Sequence, residues 1–396
     1  MSRTPFTFLR GSAAVMAADL AAGPSTDIHV QLCGDAHLSN FGLFHSPDRR
    51  LIFDVNDFDE TLHGPFEWDL KRLAASVTVA SRQNEFSAKK ARRATLAALG
   101  AYRRTMREAS ELGPLDLFYY RLEAEGIAER FDTTQKQRKA SQKAVRKATR
   151  KDSSRALSKL TDIVDGRRII VPDPPLIVRF DVETGEQIER IDRFFSQYRQ
   201  TLPAERRALL DRFSIVDIAH KVVGVGSVGT RCVVILLESA DGQPLFLQFK
   251  EASASVLEPY AGPCEFAHHG ERVVEGQRLT QAASDVFLGW ATSRSQGQPE
   301  VDFYFRQLWD GKASAEVEEM GPGGMRRYAA LCGIALALAH ARSGDAAMID
   351  GYLGDDETLD QAVADFSESY ADITQSDHTK LTEAITEGRV QVIDDL

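Results

Sequence analysis

Residues 34–42 read GDAHLSNFG, and residues 55–65 read VNDFDETLHGP. Asp35 and Asn40 stand five positions apart in the first stretch, and Asp57 follows Asn40 by seventeen. The apolar runs ahead of the two stretches, Ile28–Cys33 and Arg50–Asp54, are expected to be strands. Three oxygen-bearing side chains on the ends of two adjacent strands suit a hard divalent cation. Magnesium takes one or two carboxylate or amide oxygens and fills its remaining positions with water and phosphate. With Asn40 and Asp57 on the metal, Asp35 is left to orient an attacking hydroxyl or to accept its proton. The plain alternative is turn chemistry, because Asp and Asn bond their own backbone in turns. Against it, Asp54, Asp57, Asp59 and Glu60 fall within seven residues. Carboxylates so crowded are costly unless a cation or partner offsets them.

Gly224-Val225-Gly226-Ser227-Val228-Gly229 matches G-x-G-x-x-G. A dinucleotide-binding fingerprint needs a helix straight after the glycines. Here TRCVVILLES follows, rich in β-branched residues, so the expectation is strand, glycine loop, strand, the context of a loop that covers phosphates. Lys250 lies on the next apolar strand, PLFLQFKEA, after the hairpin signal Asp241-Gly242. Strands of this kind do not bury an ammonium without a partner. In the kinase pattern that lysine holds the nucleotide phosphates and pairs with a helix glutamate. Glu275 is the expected partner, with Glu271 one turn earlier as the alternative. The bland reading of Lys250 is an edge-strand lysine reaching out to solvent.

Outward from these motifs, the periodicity predicts helices over Phe8–Leu20, Trp68–Arg82 and Ala88–Leu112. The stretch from 113 to 212 reads as mostly helical. Within it, residues 135–159 carry ten Lys/Arg against a single Asp. No aromatic residue is interleaved there for base stacking, so a solvated helix is preferred over a nucleic-acid site. RRIIVPDPPLIVRF reads as strands broken by prolines. Beyond 213 come the glycine hairpin, a helix over EFAHHGERVVEGQRLTQAASD, the strand VDFYFRQLWD, the apolar helix MRRYAALCGIALALAHARSGDA and an acidic helical tail. This gives an α+β chain with a helical part at 1–212, a β-rich part at 213–312 and returning helices at 313–396.

Composition sets the class. The chain has 396 residues, 43% hydrophobic and 27% charged, with a formal net charge of −10. That balance disfavours general nucleic-acid binding. Four dispersed cysteines form no metal knuckle and no disulfide scaffold. Arg10 and Asp19 interrupt any signal core, and no apolar run reaches about 18 residues. A cytoplasmic protein without a membrane span is expected.

Several stretches together carry a resemblance: FLRGSAAVMAADL, QLCGDAHLSNFG, FDVNDFDETLHGPFEWDLKRLAAS, GVGSVGTR, VVEGQRLTQAASDVFLGW and FRQLWDGK. They are similar to the bacterial domain-of-unknown-function family 2252. A more distant resemblance is to aminoglycoside phosphotransferases and choline kinases, whose HGDxHxxN loop GDAHLSN resembles. It implies Asp35 as catalytic aspartate, Asn40 and Asp57 as metal ligands, Asp69 as a structural aspartate, and Lys250 with Glu275 as the lysine–glutamate pair. Cys33 stands where that loop begins with histidine. The motif order is reversed, which implies a protein kinase-like two-lobed fold, circularly permuted, with the helical catalytic lobe first and the nucleotide lobe second. Either ALCGIALALAHARSGDA or FLRGSAAVMAADL then leads into the catalytic loop. Relatives are also expected to carry an arginine-rich segment ahead of the position where this sequence starts.

The reading that follows is an ATP- and magnesium-dependent phosphotransferase with a small hydroxylated acceptor. Its rivals are a nucleotide-binding regulatory protein without turnover, an AMP-transferase, and a metal-dependent phosphoester hydrolase using Asp35, His37, Asp54 and Asp57. Arg10 reads either as a structural arginine or as a phosphate contact. His37 reads as a capping or packing histidine ahead of a contact to phosphate or substrate. His340, Arg342 and Asp345 either line the cleft or cap a helix end. Arg306 and Asp310 read as structural ion-pair partners.

Overall fold

The computed structural model describes residues 1–131, 160–180, 185–221, 230–294, 299–308 and 313–391, with the isolated positions 139, 145 and 157. The fold is α+β. It begins with α1 (Pro5–Arg10) and α2 (Ala13–Ala21). Sequence periodicity predicted one helix here. The chain turns at Gly11 instead, whose N–H closes α1 on the Phe8 carbonyl at 3.0 Å.

Four short strands follow: β1 (His29–Leu32), β2 (Phe41–His45), β3 (Leu51–Val55) and β4 (Leu62–Pro65). β1 pairs antiparallel with β4, and β2 with β3. One loop joins β1 to β2 and the other joins β3 to β4. The pairing therefore lays residues 33–40 beside residues 56–61, which brings the two acidic stretches together. β2 and β4 were not legible beforehand, because each is a few residues long and carries glycine.

The helical lobe is built around α3 (Phe66–Gln83), buried along its whole length except at Lys71 and its last residues. Small side chains such as Ala74, Ala75 and Ser76 let α4 (Ala88–Ser110) lie close to it. α5 (Pro114–Tyr119) and α6 (Ala124–Phe131) complete this part. A small hairpin, β5 (Thr161–Val164) with β6 (Arg167–Ile170), leads to β7 (Ile177–Arg179), α7 (Gly185–Gln200) and α8 (Ala204–Leu210).

The β-rich lobe has β8 (Phe213–Lys221), β9 (Cys232–Ser239), β10 (Pro244–Ala252), the short α9 (Glu258–Ala261), α10 (His269–Thr280), β11 (Gly289–Ser293) and β12 (Val301–Gln307). These strands and β7 form one six-stranded sheet in the order β11-β12-β10-β9-β8-β7. Alternating apolar residues of β9, β10 and β12 bury one face against α7 and its flanking loop. Tyr198 of α7 stacks on Phe305 at 3.9 Å between centroids. The glycine loop, Gly224, Gly226 and Gly229, lies outside the described residues, as do most of the basic stretch 135–159 and Asp310.

The chain then returns to the helical lobe. β13 (Ala313–Ser314) adds to β2. α11 (Pro322–Ser343), apolar on nearly every face, packs beside α4 in the core. α12 (Ala346–Leu353) and α13 (Thr358–Thr386) follow. α13 closes against the first helices: Tyr370 donates to Asp19 at 2.9 Å, and His378 Nε2 lies 2.9 Å from the Ser2 carbonyl. Among the described residues, no helix is long and apolar enough to cross a membrane.

Candidate active site

The loop bearing Asp35 is fixed from below. Gly34 has φ of +84°, and a Cβ there would lie 2.1 Å from the Glu60 carbonyl oxygen, so only glycine fits. Asp69, in the first turn of α3, accepts the N–H of Cys33 at 2.8 Å and of Gly34 at 3.1 Å. His340 at the end of α11 reaches Asp69 at 3.3 Å and Tyr102 at 2.9 Å. His340 is fully buried. It neither lines the cleft nor caps a helix, but props the loop from within the core. Burial pushes the Tyr102 phenol well above its ordinary range. Arg342 spans the carbonyls of Thr280 and Tyr120, and Asp345 caps α12.

Asp35 is held on one side only. Arg72 Nε and Nη2 both donate to its Oδ1, at 2.9 and 2.8 Å. Oδ2 faces His37 Nε2 at 3.6 Å. Burial lowers His37 to about 4, against the pull of Asp35, so the imidazole is neutral at physiological pH. The Asn40 amide donates to the Asp35 carbonyl at 2.8 Å, which ties the two residues into one turn and leaves the Asn40 Oδ1 as an acceptor. Asn56 N–H in turn donates to the Asn40 carbonyl at 2.8 Å, which stitches the second loop to the first.

In the second loop, Asp57 carries a hydrogen bond from the Asp59 N–H at 3.2 Å. Burial, and then the charge of Asp59, raise its pKa above the usual carboxylate value. Asp59 has the opposite fate. Burial would raise it, but the Lys250 ammonium at 2.5 Å and the Tyr304 hydroxyl at 2.7 Å hold it below the ordinary value. Lys250 is 3% exposed, and Tyr304 is its cross-strand partner. Burial works against the ammonium, and Tyr304, followed by the Asp59 and Asp57 carboxylates, more than offsets it, so Lys250 titrates above its normal range. Arg306, two residues further on β12, bonds Gln248 at 3.0 Å and lies over the Tyr304 ring. Among the described residues its hydrogen-bond partner is this glutamine; Asp310, its expected ion-pair partner, lies outside them.

The partner of Lys250 is thus Asp59, not the expected Glu275. Glu275 turns away to Arg278, its neighbour one helical turn on, at 2.6 Å and 29% exposed. The inward-facing charge of α10 is Arg272, 1% exposed. It donates to the carbonyls of Thr61 (2.6 Å), Asp59 (2.8 Å) and Ser253 (2.7 Å). Close approach makes this possible: a Cβ on Gly276 would meet Thr61 Oγ1 at 2.4 Å. Glu271 lies in the first turn, where its N–H is capped by His268. Arg72, Asp59, Tyr304 and Arg272 were missed as a set. Only Arg72 had a signal, standing three residues after Asp69 on the same helix face.

Asn40 and Asp57 are the residues here that could serve a hard divalent cation. Asn40 offers an amide oxygen and Asp57 a crowded carboxylate, while Asp35 stays engaged with Arg72. Among the described residues, no three His, Cys, Asp or Glu side chains converge into a self-sufficient metal site. Any ion here would complete its shell from water or a bound anion. Asp54 does not join the set, since its oxygens accept the N–H groups of Val55 and Ala282. A cavity of about 90 Å³ opens beside Asn56, lined also by Gln277, Gln281, Arg306 and Gln307. Among the described residues, the buried Asn56 Oδ1 has no hydrogen-bond partner.

A family model described as an uncharacterized protein conserved in bacteria, DUF2252, matches residues 1–384. No curated protein and no solved structure matches the chain.

Proposed function

The chain belongs to the DUF2252 family, and from its site we propose that it is an ATP- and magnesium-dependent phosphotransferase acting on a hydroxylated acceptor. One observation carries the reading. A buried lysine of the β-rich lobe, Lys250, meets the Asp57–Asp59 loop of the helical lobe across 191 residues of sequence. A central-strand ammonium aimed at an acidic loop between two lobes is what a phosphate-holding lysine requires.

The surroundings support it. The order glycine loop, strand, lysine strand, helix runs as in a kinase nucleotide lobe. The spacing of Asp35 and Asn40 is that of a kinase catalytic loop. The catalytic half comes first in the chain, so the reading includes a circular permutation. Residues 339–343 of α11 sit under β1, where Ser343 Oγ accepts the Gln31 N–H at 3.2 Å. This favours α11 as the helix that leads into the catalytic loop.

In this reading Arg72 holds Asp35 through Oδ1, and Oδ2 receives the proton of the acceptor hydroxyl. As the acceptor's hydroxyl oxygen bonds to the terminal phosphorus, the bridging bond to ADP breaks. Magnesium on Asn40 and Asp57 would neutralise charge on the phosphates. Lys250 exchanges Asp59 for phosphate oxygens. Catalysis is then positioning and charge neutralisation. The hydrolase alternative is weakened, because Asp54 is spent on backbone.

Thermal unfolding with ATP and magnesium tests the proposal, wild type beside Lys250→Ala. Ligand at about 100 times its dissociation constant adds roughly 2.7 kcal/mol. The expected result is a shift in wild type that the variant loses. A folded protein that no nucleotide stabilises would overturn it. Binding without transfer or phosphate release across a broad acceptor panel would identify a regulatory protein.

A further inference from the structure

The cavity beside Asn56 has walls from both lobes. Asn56 belongs to the helical lobe, and Gln277, Gln281, Asp285 and Arg306 belong to the β-rich lobe. Its volume of about 90 Å³ exceeds the roughly 10–15 Å³ that one water needs, so several waters or one small ion fit inside.

Arg306 brings a positive charge to this cavity. The side chain is half-buried, and its Nε donates to Gln248 Oε1 at 3.0 Å. Among the described residues its terminal nitrogens have no hydrogen-bond partner, and no ion pair engages it. Its position is fixed all the same. The guanidinium carbon lies 5.9 Å from the centre of the Tyr304 ring, and Gln248, 2% exposed, is itself tied to Cys232 Sγ at 2.9 Å. A neutral glutamine satisfies one donor but no charge, and a half-buried cation without a bonded anion is costly. The acidic neighbours do not supply that anion. Asp59 is taken by Lys250 and Tyr304. Asp285 lines the cavity, but both its oxygens accept backbone N–H groups, of Phe287 at 2.8 Å and of Gln307.

The rest of the polar wall offers acceptors. Asn56 Oδ1 is buried and unpartnered among the described residues, while the Asn56 N–H holds the loop to the Asn40 carbonyl at 2.8 Å. Gln277 and Gln281 direct their amide nitrogens away, to Gln281 Oε1 at 2.9 Å and to the Val55 carbonyl at 2.5 Å. A ligand that satisfies both Arg306 and Asn56 is an oxyanion that still carries a proton. Near neutral pH both forms of inorganic phosphate keep at least one O–H. Sulfate has the same tetrahedral shape and keeps none.

We infer that this cavity binds inorganic phosphate, with Arg306 donating to its oxygens and its O–H donating to Asn56 Oδ1. A guanidinium matches such oxygens through paired N–H donors. The site is independent of the phosphotransferase reading, in which neither Arg306 nor Asn56 has a part.

Calorimetric titration of the full chain with phosphate and with sulfate tests it, on wild type, Arg306→Gln, Arg306→Lys and Asn56→Ala. Wild type should bind phosphate about tenfold or more tightly than sulfate, because sulfate leaves a buried acceptor unpaired. Asn56→Ala, which keeps the backbone bond to Asn40, should bring the two anions to equal affinity. Arg306→Gln should lose both anions, and Arg306→Lys should keep part of the phosphate affinity. Three results would each overturn the inference: no phosphate binding or no preference over sulfate in folded wild type, a preference that survives in Asn56→Ala, or phosphate binding that survives in Arg306→Gln. If Arg306→Gln does not fold, the phosphate-to-sulfate ratio in wild type and in Asn56→Ala decides the matter. Phosphate should still bind in the presence of ATP and magnesium; full competition would make the cavity part of the nucleotide site and also overturn the inference. A chain that binds phosphate but no nucleotide would sink the phosphotransferase reading alone.

Discussion

The two faces of the cleft are built differently. The floor, residues 33–40, is nailed down by side chains bonding backbone: Asp69 to two N–H groups, Ser76 to Leu38 N–H at 2.9 Å, and Asn40 to the Asp35 carbonyl. Above it, Lys250 meets the acidic loop through side chains alone, an ion pair with Asp59 and the Tyr304 hydroxyl on the same carboxylate. Backbone anchors fix a geometry, whereas side-chain pairs are exchangeable. The floor therefore suits a group that must not move, and the lysine suits a contact that ligand binding replaces.

The sharpest way to break this comparison is Asp35→Ala. Turnover should fall by about 10³-fold or more, as for loss of a general base, while ATP binding persists. Unchanged turnover would remove Asp35 from the chemistry. Next is Asp69→Ala, which strands two buried N–H groups and His340. It should cost about 3 kcal/mol in chemical denaturation; a loss below about 1 kcal/mol would mean that the floor is not fixed from beneath.

Glu60 gives a smaller, pH-dependent effect. Burial raises its carboxyl from 4.5 to about 7, against the Val256 N–H that favours the charged form. The folded chain keeps a proton that the unfolded chain has released. This contribution is full below about pH 4.5 and is lost as the pH rises through 7. Glu60→Gln should therefore gain about 2 kcal/mol over wild type at pH 8 and little at pH 4.5. A constant difference across that range would refute the assignment. Asp59, with its lowered pKa, acts in the opposite sense and withdraws stability only in acid, below its unfolded value. The smallest effect belongs to Glu275→Ala. The exposed pair with Arg278 is worth less than about 0.5 kcal/mol, and ATP-induced stabilisation should be unchanged. Its loss would restore Glu275 as the partner of Lys250.

The same contrast explains what the sequence made legible. Asp35, Asn40 and Asp57 stand out because oxygen donors recur at short spacing in one stretch. Lys250 stands out because an ammonium on an apolar strand needs a reason. The identity of its partner depends on register and on packing between segments far apart in sequence. Tyr304 faces Lys250 through strand pairing, and Asp59 arrives from 191 residues away. No local pattern distinguishes Asp59 from its acidic neighbours. Glu275 was the natural choice from helix position, but Arg278 one turn on and the close packing at Gly276 turned that face over to Arg272. Of the fold, the α+β class and the long helices were legible. β2 and β4 were not, since strands so short are defined by their partners.

The helical lobe is divided in sequence, with β7 to β12 lying between its halves. Tyr102 waits 238 residues for His340, and Thr78 waits 289 for Ser367. On the ribosome the sheet can close as soon as β12 has emerged, whereas the core under Asp35 stays open until α11 and α13 are made. Contacts of such separation close slowly and expose apolar surface while they wait. The half of the cleft synthesised first is thus the last to become rigid, and nascent chains halted before α11 should hold a folded sheet beside an unfinished, chaperone-demanding floor.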